Sequence, residues 1–371
     1  MTSRVLDNEI ALIRCAIWDD FKASSCINLG LWLQKGLAQI ENKNKANDST
    51  SGDSPAKTNH LNKMANLPAP KEYIHAFDHW FGVTQDETRF ERCALTLENR
   101  LLIGLTGNGA LETGCSLSRN YGMPYIPGSS IKGVVRAFVQ RHLSEYASEI
   151  SELLGSDDPD ASSPQSALVT FHDAWWTPHG NNKPFVLDVV TTHHQAYYNG
   201  KSEKPSDKDS PIPNHLLAVQ GSFLFVLEGA PEHTRVCATM LKKALQGDGI
   251  GAKTAAGYGY MNVDDDLFKK IQRVYQDRIR EREDASLSPV QKRLRSLTKQ
   301  LKAQIDAHKP DPSGNLREEL KSAISDARSW NAADIQNLQE FAQKCIKFWD
   351  PKKKNKKLKE LRQLVMSLTQ N

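Results

Sequence analysis

No stretch of the 371-residue sequence stays apolar for the length that a membrane crossing requires. No Cys-x-x-Cys pair occurs in it either. The six cysteines, Cys15, Cys26, Cys93, Cys115, Cys237 and Cys345, stand far apart. That spacing argues against a zinc site or a disulfide framework and for reduced thiols in a cytoplasm. The opening residues, MTSRVLDNEIALIRCAIWDDF, hold acids inside their apolar part and offer no small-residue cleavage site. A secretory signal is therefore not expected. A phosphate-binding P-loop is missing too. GDGIGAKTAAGYGY (247–260) comes near one, but Ala252 stands where glycine must precede Lys-Thr. The residues after it read as a strand, where a P-loop continues into a helix. A nucleotide-driven ATPase is not expected, and neither is a cofactor or resident metal.

What is present is an ordinary globular composition, 39% hydrophobic and 25% charged. The length allows one substantial core with an accessory segment, or two modest domains. The net charge of +4 is unevenly spread, since the basic excess belongs to the C-terminal third and is densest at PKKKNKKLK (351–359). Such a run serves as a solvated end or as a phosphate-contacting patch.

Residues 1–40 read as a helical segment, with Ile10, Ile13, Ile17 and Phe21 and later Leu31, Leu33 and Leu37 as its apolar groups. Residues 41–70 carry almost no large apolar side chain and read as a flexible linker or loop. Between 71 and 266 the order is strand, helix, strands, helix, strand. That order predicts an α+β fold, a ferredoxin-like (RRM-like) βαββαβ core with two helices on one face of an antiparallel sheet. Sheets of this plan leave the second face open, and RNA-recognition modules use such a face. Residues 267–371 read as a basic, all-α appendage. Ser288–Pro289 marks a helix start there, and Leu294, Leu297, Leu301 and Ile305 form a stripe that asks for packing. The stripe packs on the chain's own core or docks another protein.

In PYIPGSSIKGVVR (124–136), polar and cationic groups gather where a helix begins. Helix amino ends leave N–H groups unpaired and carry partial positive charge, so the place suits an anion. Gly128 allows close approach, Ser129 and Ser130 cap the helix or donate to a phosphate, and Lys132 and Arg136 share a face. Plain capping with two solvated cations explains the same residues equally well. Gly249, Gly251, Lys253 and Thr254 beside Tyr258 fit either a phosphate-wrapping turn or a tight turn at a sheet edge.

GMPYIPGSSIKGVVRAF and GIGAKTAAGYGYM, with ETG upstream and VTFHDAWW between them, resemble the RAMP superfamily, the repeat-associated proteins of CRISPR systems. The form of these motifs is most similar to that in a subunit of type III-B effector complexes. The resemblance covers about residues 93–262, with a fainter echo in INLGLWLQKGL near the amino end. The helical C-terminal third lies outside it. The resemblance implies an RNA-binding structural subunit of a cytoplasmic ribonucleoprotein. Its partners would be CRISPR RNA held near its 3′ end, target single-stranded RNA and other RAMP subunits, with no membrane. Carried over residue by residue, it implicates Gly128, Ser129, Ser130, Lys132 and Arg136, and then Gly249, Gly251, Lys253, Thr254 and Tyr258, in contacts to the guide backbone.

An endoribonuclease is the alternative class. In TGNGALETG only Glu112 offers a carboxylate for metal-dependent cleavage of target RNA. Asp173 lies between aromatics and suits loop ordering. His172, His193 and His194 have the chemistry for metal-free guide processing through the RNA 2′-hydroxyl. His193 and His194 are adjacent on a strand-like run, so they face opposite ways.

Overall fold

The computed structural model describes residues 28–37, 55–105, 114–155, 165–180, 183–192, 194–206, 212–311, 314–351, 355 and 358–368. Short helices come first: α1 (Leu29–Lys35), α2 (Pro55–Ala65) and α3 (Lys71–Val83). There follow β1 (Phe90–Leu97), β2 (Tyr125–Ile126), α4 (Gly128–His142), α5 (Ala147–Leu154), β3 (Thr170–Phe171) and β4 (Ala174–Trp176). A hairpin of β5 (Phe185–Thr192) and β6 (Ile212–Val219), with the one-turn helix α6 (Gln195–Tyr198) between them, forms its own two-stranded sheet. Then come β7 (Ser222–Glu228), α7 (Pro231–Gly247), β8 (Met261–Val263) and α8 (Asp265–Ser286). The chain divides into two compact units, Met1–Tyr275 and Gln276–Asn371.

The main sheet has the order β2-β4-β7-β1-β8, with β3 beside β7, and every pairing is antiparallel. α4 links β1 to the β3–β4 region and α7 links β7 to β8, which is the βαββαβ connectivity of a ferredoxin-like core. β1 and β7 run in register from Phe90 opposite Glu228 to Thr96 opposite Ser222. Alternation sends Cys93, Leu95 and Leu97 with Phe223, Phe225 and Leu227 to one face. There they meet Ile131, Val135 and Val139 of α4 and Cys237, Leu241 and Leu245 of α7. Both helices supply these groups at i, i+4, i+8 spacing, the stripe an amphipathic helix needs.

The second face is not open. Phe90, Ala94, Leu224 and Val226 are buried there against Phe77 and Phe81 of α3 and Leu267 and Ile271 of α8. Arg92 lies over the rings of Phe81 and Phe268 on the same side. The surface on which RNA-recognition modules lay their bases is thus filled by the protein's own helices, and the sequence expectation of a free face is corrected. The reason is legible in the strands: β7 carries large apolar residues at consecutive positions, and both of its faces need cover.

Within the span read as a linker, α2 forms because His60, Leu61 and Met64 lie at helical spacing and are all buried. His60 stacks on Trp32 of α1 at 5.6 Å, and Lys57 donates to Asn214 of β6. Tyr73, Phe77, Trp80 and Phe81, in the aromatic residues that follow that span, belong to α3. Residues 1–27, and with them most of the amino-terminal helix expected from sequence, lie outside the described residues. Cys93, Cys115, Cys237 and Cys345 are free, and burial pushes each thiol up to about 12, so these are inert packing groups. Among the described residues no helix is long and apolar enough to cross a membrane.

The second unit contains α9 (Pro289–Asp306), α10 (Asn315–Asp326), α11 (Ala332–Trp349) and α12 (Lys359–Ser367). Leu294, Leu297 and Leu301 of the stripe are buried against Leu316, Leu320, Leu338, Phe341 and Leu361 of the same unit. Ile305, the last member expected from sequence, is exposed. Ser288 accepts from the Gln291 N–H while the Gln291 side chain accepts from the Ser288 N–H, a complete capping box. Ser288→Ala is expected to cost about 1 kcal/mol. A denaturant midpoint for this unit that does not move would refute the box's contribution.

Candidate nucleic-acid interface

Gly128 is the first residue of α4, so the helix starts before the Ser130 suggested by the sequence pattern, and what approaches the Gly128 backbone is the protein itself. A Cβ at this position would overlap the carbonyl oxygen of Phe171. The Gly128 N–H donates to Asp173 Oδ1 at 2.8 Å, so a carboxylate of the chain already occupies the amino end of the helix. Asp173 thus orders this junction. Ser129 and Ser130 are exposed just beyond it. Lys132 is half-buried, and its ammonium is held below its ordinary value by that burial and by the nearby Arg136. Arg136 donates from Nη2 to the carbonyls of Leu154 and Gly155, both at 2.8 Å. Its charge therefore serves the carboxyl end of α5, where a cation complements the helix dipole.

The two motifs do meet, but through another face of α4. Val134, Ala137 and Arg141 line one wall of a cleft of about 220 Å³, and Gly249, Ile250, Gly251 and Thr254 line the other. Steps of 100° per residue put Ser130 on the flank of Val134 and Arg141, and put Lys132 and Arg136 on the opposite flank. Asp248 lies at the join. It caps α7, takes Arg141 at 2.9 Å and His142 at 3.5 Å on Oδ1, and buries Oδ2 without a partner. Sequence reasoning missed Arg141 and Asp248, although Arg141 stands seven residues after Val134 and so shares its face.

The glycine loop is tied to the segment after β1. Ala252 N–H donates to the Leu102 carbonyl at 2.7 Å, Gly259 N–H to Arg100 at 2.8 Å, and Ile250 N–H to Gly259 at 3.0 Å. Gly249 and Gly251 take φ of 71° and 93°. Lys253 does so too, with φ 59° and ψ 38°, and is exposed at the tip. A left-handed backbone costs an L-residue on the order of 1 kcal/mol or more. Tyr258 is drawn inward: its hydroxyl donates to Asp188 Oδ2 at 2.9 Å, and Asp188 Oδ1 pairs with Arg100 at 2.7 Å. Burial raises the Asp188 carboxyl, but the bonds from Arg100, the Val189 N–H and Tyr258 outweigh it and hold the group below its ordinary value. Burial and the bond to Asp188 push the Tyr258 hydroxyl up. Tyr258 thus anchors the loop to the β5–β6 hairpin.

Of the residues considered for cleavage, Glu112 and His193 lie outside the described residues. His172 Nε2 lies 2.8 Å from Glu228 Oε2, and its ring meets Trp80 edge-on at 5.2 Å. Glu228 also takes Arg89. His194 follows β5 with φ 55°. Among the described residues no group of three or more His, Cys, Asp or Glu could hold a metal ion.

The antiparallel βαββαβ core, with its glycine loop closed against the first helix of the plan, coincides with the match to a known family: the RAMP superfamily model covers residues 94–262. Two curated relatives are similar to part of the chain. They are the CRISPR system Cmr subunit Cmr6 of Pyrococcus furiosus and that of Saccharolobus solfataricus. The first is 29% identical over 221 residues, 44% of this chain and 64% of the relative. The second is 30% identical over 174 residues, 46% of this chain and 56% of the relative. The chain thus spans less than two thirds of the length of either. Among solved structures, a type III-B Cmr-beta complex bound to cognate target RNA matches with a TM-score of 0.46 and 23% identity, over 56% of this chain and 71% of that one. The crystal structure of Cmr6 from Pyrococcus furiosus matches with a TM-score of 0.31 and 26% identity, over 47% and 98%.

Proposed function

We propose that the protein is an RNA-binding structural subunit of a type III-B CRISPR effector complex. It holds the backbone of the guide RNA near its 3′ end, beside other RAMP subunits, and supports binding of target RNA. The observation that carries this reading is Lys253, an exposed cation kept in a left-handed backbone at the tip of a hydrogen-bonded glycine loop. A loop of small residues with a fixed cation suits phosphates, which position a strand without reading its sequence. The names of the curated relatives support the same complex. Tight packing around Gly128 and the Arg136 contacts to α5 move the weight of the interface from the first motif to the second.

The test is purification of the tagged protein from its host cells at moderate salt, with sequencing of the RNA and identification of the proteins that accompany it. Short RNAs with repeat-derived ends, together with other RAMP proteins, are the expected result. A protein recovered alone overturns the reading. In a titration of the purified chain with single-stranded RNA, Lys253→Ala should weaken binding several-fold. It should also reduce the slope of log affinity against log salt by about 0.7, the value of one single-strand phosphate contact. An unchanged slope counts against Lys253 as a phosphate ligand.

A further inference from the structure

A second cavity, of about 280 Å³, lies at the amino end of α4 and is not used by the backbone contacts above. Its volume falls just under the range of about 300–1,000 Å³ usual for small-molecule sites and suits a single planar ring system. Tyr125 and Trp175 form part of its wall, and they stand directly opposite each other in the β2–β4 register. Residues so paired present their side chains on one sheet face. Trp175 is fixed, since it stacks on Tyr73 at 5.7 Å with 17° between the planes and on Trp80 at 6.2 Å with the same angle. Tyr125 is half-buried.

Two polar groups face this aromatic wall. Asp173 reaches the cavity with a carboxylate whose Oδ1 is held by the Gly128 N–H. The residue is exposed, and its second oxygen has acceptor capacity left. Arg119 stands exposed at the rim. The loop that carries it is rigid before any ligand arrives. Ser118 N–H donates to Met123 at 2.8 Å and Gly122 N–H to Ser118 at 2.7 Å. The Asn28 side chain, at the start of α1, donates to the Arg119 carbonyl at 2.9 Å.

We infer that this cavity takes one unstacked nucleobase of a bound single-stranded RNA and favours bases that carry an exocyclic amine. The base lies against Tyr125 and the edge of Trp175. Its amine donates to Asp173, and Arg119 meets the adjoining phosphate. Uracil has no exocyclic amine; its single N3–H lies between two carbonyl oxygens that repel the carboxylate, and it is disfavoured. A carboxylate in the pocket makes this contact selective between bases, whereas the glycine loop contacts only backbone and is not. This inference rests on the RNA-binding reading and adds to it one base-selective contact.

The experiment uses the full chain and measures anisotropy of labelled oligo(A) and oligo(U) dodecamers at one fixed salt concentration. Oligo(A) should bind more tightly than oligo(U). Tyr125→Ala should lose about tenfold on oligo(A), as expected for one base-stacking platform. Asp173→Asn keeps an oxygen for the Gly128 N–H but adds a competing amine, and should bring the oligo(A)/oligo(U) ratio close to one. Arg119→Ala, at an exposed position, should weaken both RNAs alike and guards against a folding artefact. If wild type binds RNA but the Tyr125 and Asp173 variants match it on both oligomers, the pocket inference falls and the backbone reading stands. If wild type binds neither oligomer, both fall.

Discussion

Gly259→Ala is expected to lower the melting temperature of the first unit by about 10 °C and, under the proposed function, to abolish RNA binding. At φ 79° the backbone is in the region that glycine alone enters freely, and an added Cβ would overlap the carbonyl oxygen of Ile250. That carbonyl is main chain and cannot swing away, because the Ile250 N–H is bonded to the Gly259 carbonyl at 3.0 Å. Overpacking against a fixed neighbour costs roughly 2–3 kcal/mol, and the backbone strain adds about 1 kcal/mol. For a unit of this size each kcal/mol moves the midpoint by about 2–4 °C. Gly257 is the internal control: it has φ 88°, but a Cβ there meets nothing within 4 Å. Gly257→Ala should incur only the backbone part, a shift of about 3 °C, and should keep RNA binding. Calorimetry of the two variants beside wild type decides the matter. Equal shifts would mean that the close approach between Gly259 and Ile250 plays no part.

The same loop shows what could be read from the residues. Its glycines and Lys253 were visible as a turn that was not a P-loop, since Ala252 breaks that pattern. The βαββαβ order was legible because Val134, Val135, Phe138 and Val139 recur at helical spacing while Cys93, Leu95 and Leu97 alternate. Local patterning of this kind depends on nearest neighbours only. What covers a sheet depends on tertiary packing, and the sequence order of α3 and α8 carried no sign that they would lie over Ala94 and Leu224. The helix α2 was hidden for a related reason. With only Leu61 and Met64 as large apolar groups to bury, its packing surface is too small to mark a helix in a polar stretch. At the candidate site, the pairing of Lys132 with Arg136 was correct as helix geometry but silent about the α5 carbonyls that Arg136 meets. Those carbonyls lie 18 and 19 residues away in sequence. Asp248 was likewise beyond reach, because the Arg141 and His142 side chains it meets come from a helix about a hundred residues earlier, whereas Asp173 orders a junction as its sequence setting suggested.

Asp188→Asn should cost about 2 kcal/mol at neutral pH, the scale of a hydrogen-bonded charge that loses its partner, and the loss should vanish in acid. Asp188 sits on β5 with its side chain 10% exposed, and binds Arg100 and the Tyr258 hydroxyl at once. Its folded-state carboxyl titrates below the ordinary 3.8. A group depressed in this way contributes stability that is fully present above the unfolded value and is lost as pH falls through the folded one. The wild-type and D188N curves of stability against pH should therefore run parallel from about pH 5 upward, and converge below pH 3.8. Curves that stay parallel into acid would show that the Asp188 charge is not the source of the difference. The same substitution tests the link between hairpin and loop. Tyr258 is tied to β5 through Asp188, so the amides of Ile250 and Gly259 should exchange faster in the variant at neutral pH. If the variant is destabilised while those amides keep their protection, Asp188 braces the hairpin alone, and the glycine loop owes its shape to its backbone bonds with Arg100 and Leu102.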